Sequence, residues 1–149
     1  MRKPKQVLVF LYRENHNNEY EYCIFYRTKM KIWQAISGGV EDDETLIETV
    51  KREIKEETNL DVDEIYQLSS TTTIPVINVT GEFTFGKNIY VVTEYCFGVH
   101  INNDEIKLSN EHRQYRWLSF KDAYNKLEFD SNKNALWELN ERLLNSDLN

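Results

Sequence analysis

Apolar and polar positions along the chain fall into segments with two different periods. Residues 6–12 (QVLVFLY) and 20–27 (YEYCIFYR) are short, dense in β-branched and aromatic side chains, and separated by the polar turn RENHNNE. That pattern predicts two strands. Residues 71–77 (TTTIPVI) and 89–101 (IYVVTEYCFGVHI) carry the same signature and predict two more. Between the pairs, residues 43–59 (DETLIETVKREIKEETN) switch to helical spacing, with Asp43 or Thr45 as N-cap and Glu48 placed to complete a capping box with Thr45. Residues 114–120 (QYRWLSF) predict a short strand running into a second helical region. Leu136, Leu139 and Leu143 give the segment 132–144 one apolar face. The order β-β-α-β-β-α predicts an α+β fold, a mixed β-sheet with helices packed on it, and not the regular alternation of a doubly wound sheet.

The helix over 43–59 poses a charge problem. At roughly 100° per residue, Leu46, Ile47, Val50 and Ile54 share one apolar arc, and Glu57 projects into it. Glu53 lies at the edge of the arc and Glu56 somewhat further round. A solvated charge face accounts for Glu48 but poorly for Glu57. The three acids also occupy the last turns, where the backbone dipole disfavours negative charge. Their i, i+3, i+4 spacing gathers carboxylates on adjacent positions. Such a set suits a hard divalent cation such as Mg²⁺, which takes oxygen ligands and leaves positions open for phosphates.

Composition narrows the partners. The 149 residues, 40% hydrophobic and 13% aromatic, suit one domain over 1–149 with a real core. The basic start MRKPK followed by VLVFLY outlines a secretory leader, but six apolar residues followed by charge are too few and lack a cleavage site. No stretch approaches the ~20 apolar residues of a membrane span. Cys23 and Cys96 sit in apolar strand contexts outside any CxxC and are expected as buried reduced thiols. A soluble cytoplasmic protein without a membrane partner is expected. The net charge of −7 argues against a nucleic-acid polymer as partner, yet permits a small phosphorylated substrate if a cation stands between two negative bodies. The aromatic content allows a homodimer surface without requiring one.

Residues 38–60, GGVEDDETLIETVKREIKEETNL, resemble the box of the Nudix family, GX5EX7REUXEEXGU with U aliphatic. Gly38, Glu44, Arg52, Glu53, Ile54, Glu56, Glu57 and Leu60 match at the required distances. Asn59 stands where the family has glycine. That departure is mild, because the glycine closes the helix in a left-handed conformation that Asn also tolerates. The resemblance implies an α/β/α sandwich with the box as loop-helix-loop. It also implies hydrolysis of a pyrophosphate linkage in a nucleoside diphosphate joined to another group, with Mg²⁺ or Mn²⁺. Glu53, Glu56 and Glu57 would hold the metal, and Arg52 would orient one of these acids through a charge-assisted hydrogen bond. Glu44 would be structural or an outer ligand. Gly38 and Gly39 would let the backbone approach metal or phosphates.

The general base would come from Glu53 or Glu56 within the box or from a loop opposite it. There Glu111, in SNEHRQYRW, is the favoured candidate and a further metal ligand, with His112 as its rival. Glu94, inside a strand, is a lesser candidate for an extra carboxylate. The flanks IWQAISGGVE, NEHRQYRWLSFKDA and DSNKNALWEL are similar to the family branch acting on dihydroneopterin triphosphate and on purine deoxynucleotides such as dATP. Trp33 and Gln34 would then lie at the entrance, with the indole stacking on a pterin or purine. Arg27 and Lys29 would offer charge to a triphosphate tail, and Asn132 is expected to cap the last helix. Pro75 lies near where ADP-ribose pyrophosphatases of the family carry a proline. That keeps ADP-ribose and dinucleoside polyphosphates as alternatives, beside a non-catalytic nucleotide sensor.

Overall fold

A computed structural model describes residues 2–102, 105–109 and 112–148. In chain order the elements are β1 (Arg2–Glu14), β2 (Tyr20–Arg27), β3 (Ile32–Gln34), β4 (Ile36–Glu41), α1 (Leu46–Thr58), β5 (Ile65–Pro75), α2 (Val76–Thr80), β6 (Val91–His100), β7 (His112–Leu118), α3 (Phe120–Lys126) and α4 (Asp130–Leu144). The strands form one seven-stranded sheet with the path β3-β2-β1-β6-β5; β4 pairs with β1 and β7 with β2. The β1–β6 pair is parallel and the others antiparallel, so the sheet is mixed as expected.

Strand β1 is apolar without alternation because both its faces are covered. Val7, Val9 and Leu11 join Val50 and Ile54 of α1 in one core. Leu8, Phe10 and Tyr12 join Ala135, Leu136 and Leu139 of α4 and Ala123 of α3 in the other. Helices thus cover both faces, giving an α/β/α sandwich. Cys23 and Cys96 are buried free thiols on opposite faces.

Several boundaries differ from expectation. Residues 32–41, given no element in the sequence, form β3 and β4, interrupted at Ala35. Strand β5 begins at Ile65, earlier than the apolar pattern indicated, and its alternating polar side chains mark an edge strand open to water. It stops at Pro75, and residues 76–80 turn into the short α2 instead of continuing the ladder. Proline has no N–H to extend pairing, so the chain leaves the sheet there. Ile47 is 39% exposed and lies outside the buried face of α1. Asn132 does not cap α4: the N-cap is Phe129, without a side-chain bond, and Asn132 sits one turn inside.

Candidate active site

The start of α1 is closed by a full capping box. Thr45 Oγ1 accepts from the Glu48 amide at 3.1 Å, and Glu48 Oε1 accepts from the Thr45 amide at 2.9 Å. At the other end Asn59 takes φ 62°, ψ 17°, the left-handed conformation anticipated for the glycine position. These two caps determine which turn of the helix presents each glutamate.

Arg52 ties the helix to the preceding loop. Its Nε donates to Glu44 Oε2 at 2.6 Å and its Nη2 to Glu44 Oε1 at 2.9 Å, a bidentate fork. Nη2 also reaches the Gly39 carbonyl at 2.8 Å. Nη1 donates to Glu53 Oε1 at 2.9 Å and to Glu56 Oε1 at 3.3 Å. One guanidinium therefore positions two of the three box carboxylates and the β4 backbone. Glu44 further accepts from Thr49 Oγ1 at 3.0 Å and the Glu41 amide at 2.9 Å. The bond from Arg52, more than any other cause, lowers the Glu44 carboxyl to about 2.

The three glutamates differ in environment. Glu53 is 8% exposed, and burial first, then the charge of Glu56, raises its pKa to about 7 despite Arg52. Glu57 is equally buried, and its Oε2 accepts from Ser109 Oγ at 2.7 Å. Glu56 is largely exposed. All three line one cleft of about 840 Å³, together with Gly38 and Gly39. A Cβ on Gly38 would collide with the Glu53 carboxyl group, and one on Gly39 with the Arg2 side chain. The two glycines are thus required by close approach of side chains to the β4 backbone.

Of the other expected residues, Arg27 and Gln34 line this cleft. Trp33 does not: its indole packs edge-on to Tyr26 at 5.3 Å, with Arg116 and Lys126 over the ring at 5.4 and 5.6 Å. Neighbouring side chains of a strand point to opposite faces, which separates Trp33 from Gln34. Lys29 is exposed and away from the cleft lining. Glu111 and the side chain of His112 lie outside the described residues. Glu94 is 3% exposed and lines the cleft, as does Asn132, whose Oδ1 accepts from the Ala35 amide at 2.9 Å. Arg2, Gln6, Asn78 and Phe129 also line it and were not singled out in the sequence. Only Gln6 left a trace there, as a polar residue opening a strand buried on both faces.

Among the described residues no three acids, histidines or cysteines converge into a ready-made cation cage. The donor set nevertheless fits a hard cation. Glu53, Glu56 and Glu57 are all oxygen donors on one cleft wall, and the pKa of Glu53 is raised by burial and by the neighbouring Glu56 and Glu57 charges. No helix among the described residues is long and apolar enough to cross a membrane.

Residues 2–138 match the family model for the NUDIX domain. A solved structure from Listeria monocytogenes, assigned to the NUDIX hydrolases, superposes with a TM-score of 0.86 at 45% identity, covering 98% of each chain. The dihydroneopterin triphosphate diphosphatase of Haemophilus influenzae is 26% identical over 140 residues, 89% of this chain and 84% of that protein. The asymmetrical bis(5'-nucleosyl)-tetraphosphatase of Mus musculus is 30% identical over 106 residues, 71% of this chain and 68% of that one. With the match spanning most of the chain, this chain is a member of the NUDIX family, a Nudix hydrolase.

Proposed function

We propose that the chain hydrolyses the pyrophosphate linkage of a nucleoside-triphosphate-like substrate, dihydroneopterin triphosphate or a purine deoxynucleoside triphosphate such as dATP, in the presence of Mg²⁺ or Mn²⁺. The observation that carries this is one cleft lined both by Glu53, Glu56 and Glu57 of α1 and by the cationic Arg27. A triphosphate has charge for both sides: its tail meets Arg27, and its reacting oxygens meet the acids through a cation. The similarity to the Haemophilus diphosphatase over most of both chains supports the substrate class.

A bound divalent metal would supply neutralisation of the phosphate oxygens and a lowered pKa for the water that attacks phosphorus. Glu53, Glu56 and Glu57 would hold it. Arg52 keeps Glu53 and Glu56 oriented through Nη1, and Ser109 keeps Glu57 oriented through its hydroxyl. Gly38 leaves the Glu53 carboxyl room against β4. The proton of the attacking water would pass to Glu53, Glu56 or Glu111.

The test is a product-resolved hydrolysis screen with Mg²⁺ and with EDTA, over dihydroneopterin triphosphate, the dNTPs, ADP-ribose and diadenosine polyphosphates. Metal-dependent release of pyrophosphate or phosphate from the triphosphates is the expected outcome, and the group released identifies the phosphorus attacked. The mouse tetraphosphatase relative makes a dinucleoside polyphosphate the second substrate to consider. A nucleotide that binds while nothing turns over would instead assign the chain to the sensors.

A further inference from the structure

The cleft continues past the acids of α1 onto the other face of the sheet. Leu8 and Cys96 are paired across β1 and β6 and belong to the core beneath α4, whereas Val7 and Phe97 belong to the core beneath α1. Gln6 and Glu94 are paired two residues earlier on the same strands, so alternation puts them on the α4 face. This arm of the cleft has apolar walls from Leu8, Ile74 and Phe129 and buried polar groups from Gln6, Glu94 and Asn132. Apolar walls with a few placed polar groups are the build of a pocket for a flat heterocycle.

Within it the two oxygens of Glu94 are treated differently. Oε2 accepts from Gln6 Nε2 at 2.6 Å. The Gln6 carbonyl in turn accepts from Arg2 Nη2 at 3.3 Å, which holds the amide with its N–H groups toward the carboxylate. Oε1 is buried, lies in a residue only 3% exposed, and has no hydrogen-bond partner. A buried acceptor left unmet is costly, and burial accordingly pushes this carboxyl up in pKa. The cost is offset if a ligand brings N–H donors to Oε1. A metal role fits poorly, because alternation along β6 places Glu94 on the α4 face of the sheet and not on the α1 face that carries the box glutamates.

We propose that Glu94 is the specificity-determining residue for the substrate's ring, accepting from an adjacent ring N–H and exocyclic amino group. That donor pair belongs to pterins and to guanine. Adenine presents a single amino group flanked by ring-nitrogen lone pairs, which would face the carboxylate and repel it. The proposal deepens the triphosphate function above and rests on it, adding a rank order: pterin and guanine triphosphates ahead of dATP. A site built to pair with donors discriminates strongly against an analogue that lacks them.

The test is binding of dGMP, dIMP and dAMP in EDTA, by calorimetry, to wild type and to Glu94→Gln. Wild type should bind dGMP at least about tenfold more tightly than dAMP, with dIMP, which keeps the ring N–H but lacks the amino group, in between. Glu94→Gln should weaken dGMP on the order of tenfold and leave dAMP binding unchanged or tighter, because the repulsion of its ring nitrogens is removed. With Mg²⁺, the ratio of kcat/KM for dGTP over dATP should fall by the same factor, carried by KM. The dIMP comparison needs no mutation, and Gln6→Met, which frees Oε2 and releases the carboxylate, should erode the preference if Glu94→Gln does not fold.

Equal binding of dGMP and dAMP by wild type, tighter wild-type binding of dAMP, or a Glu94→Gln loss shared by both ligands would each overturn the assignment. Hydrolysis of triphosphates without such a preference overturns the role of Glu94 and leaves the hydrolase proposal standing. A Glu94-dependent preference for dGMP in a protein that hydrolyses no triphosphate does the reverse.

Discussion

The two walls of the cleft are built from different material. The α1 wall comes from one capped helix and the loop before it: Glu44, Arg52, Glu53, Glu56 and Glu57 lie within fourteen consecutive positions, and Arg52 links Glu44, Glu53 and Glu56. The α4-side wall draws Gln6 from β1, Glu94 from β6 and Asn132 from α4; Gln6 bonds to Glu94 across the sheet, and Asn132 accepts from the Ala35 amide. The first is charged and suited to any polyphosphate. The second is amide-rich and half apolar, with one unmet acceptor, and is suited to a particular ring. On the roles proposed above, reaction chemistry and selectivity rest on separate scaffolds.

The comparison breaks most sharply at Glu57. Glu57→Gln should cut activity on the order of 10²-fold or more against every triphosphate alike. Steady-state rates on a folded mutant check this, and wild-type turnover would remove Glu57 from the metal site.

Next is the pH dependence of stability in the metal-free protein. The folded Glu53 carboxyl titrates at about 7 against an ordinary 4.5, so the folded chain keeps a proton that the unfolded chain has lost between those values. Stability contributed by this group is present below pH 4.5 and lost as pH rises toward 7, on the order of 2 kcal/mol. Glu44, lowered to about 2, works in the opposite window: its contribution is complete above pH 4.5 and lost as pH falls toward 2. Urea midpoints across pH 4.5–8 in EDTA should therefore fall with rising pH, and saturating Mg²⁺ should flatten the fall. An unchanged slope with Mg²⁺ counts against Glu53 as a ligand.

Trp33 sharpens the contrast from outside the cleft. Trp33→Leu should cost about 1–2 kcal/mol in urea midpoint through lost packing with Tyr26, Arg116 and Lys126, with KM essentially unmoved. A large rise in KM would bring the indole back to the substrate. The smallest effect is expected of Asn59→Gly. Because Asn59 already sits at φ 62°, the change should be neutral or stabilising by a few tenths of a kcal/mol. A loss above ~1 kcal/mol would mean that the Asn side chain has an unseen partner.

How much was legible follows the same division. The α1 wall could be read because helical periodicity converts spacing directly into direction, so Glu57 could be placed on the buried arc and Asn59 at the left-handed cap. Trp33 shows where spacing misleads. It adjoins Gln34 in sequence, but a strand sends neighbours to opposite faces, and no strand had been assigned to residues 32–41. Asn132 shows the same for caps: two further residues of helix, starting at Asp130, turned an expected cap into a bond to the Ala35 amide.

By itself, the sequence determined the family and the carboxylate wall with its caps, because these are encoded in residues a few positions apart, and the order of its elements pointed to a mixed sheet with helices. Only the tertiary structure decided which side chains meet that wall across the cleft. Gln6 and Glu94 are 88 positions apart and become partners through the parallel pairing of β1 with β6. Sheet register of that kind is set by the packing of both cores, and no local pattern records it.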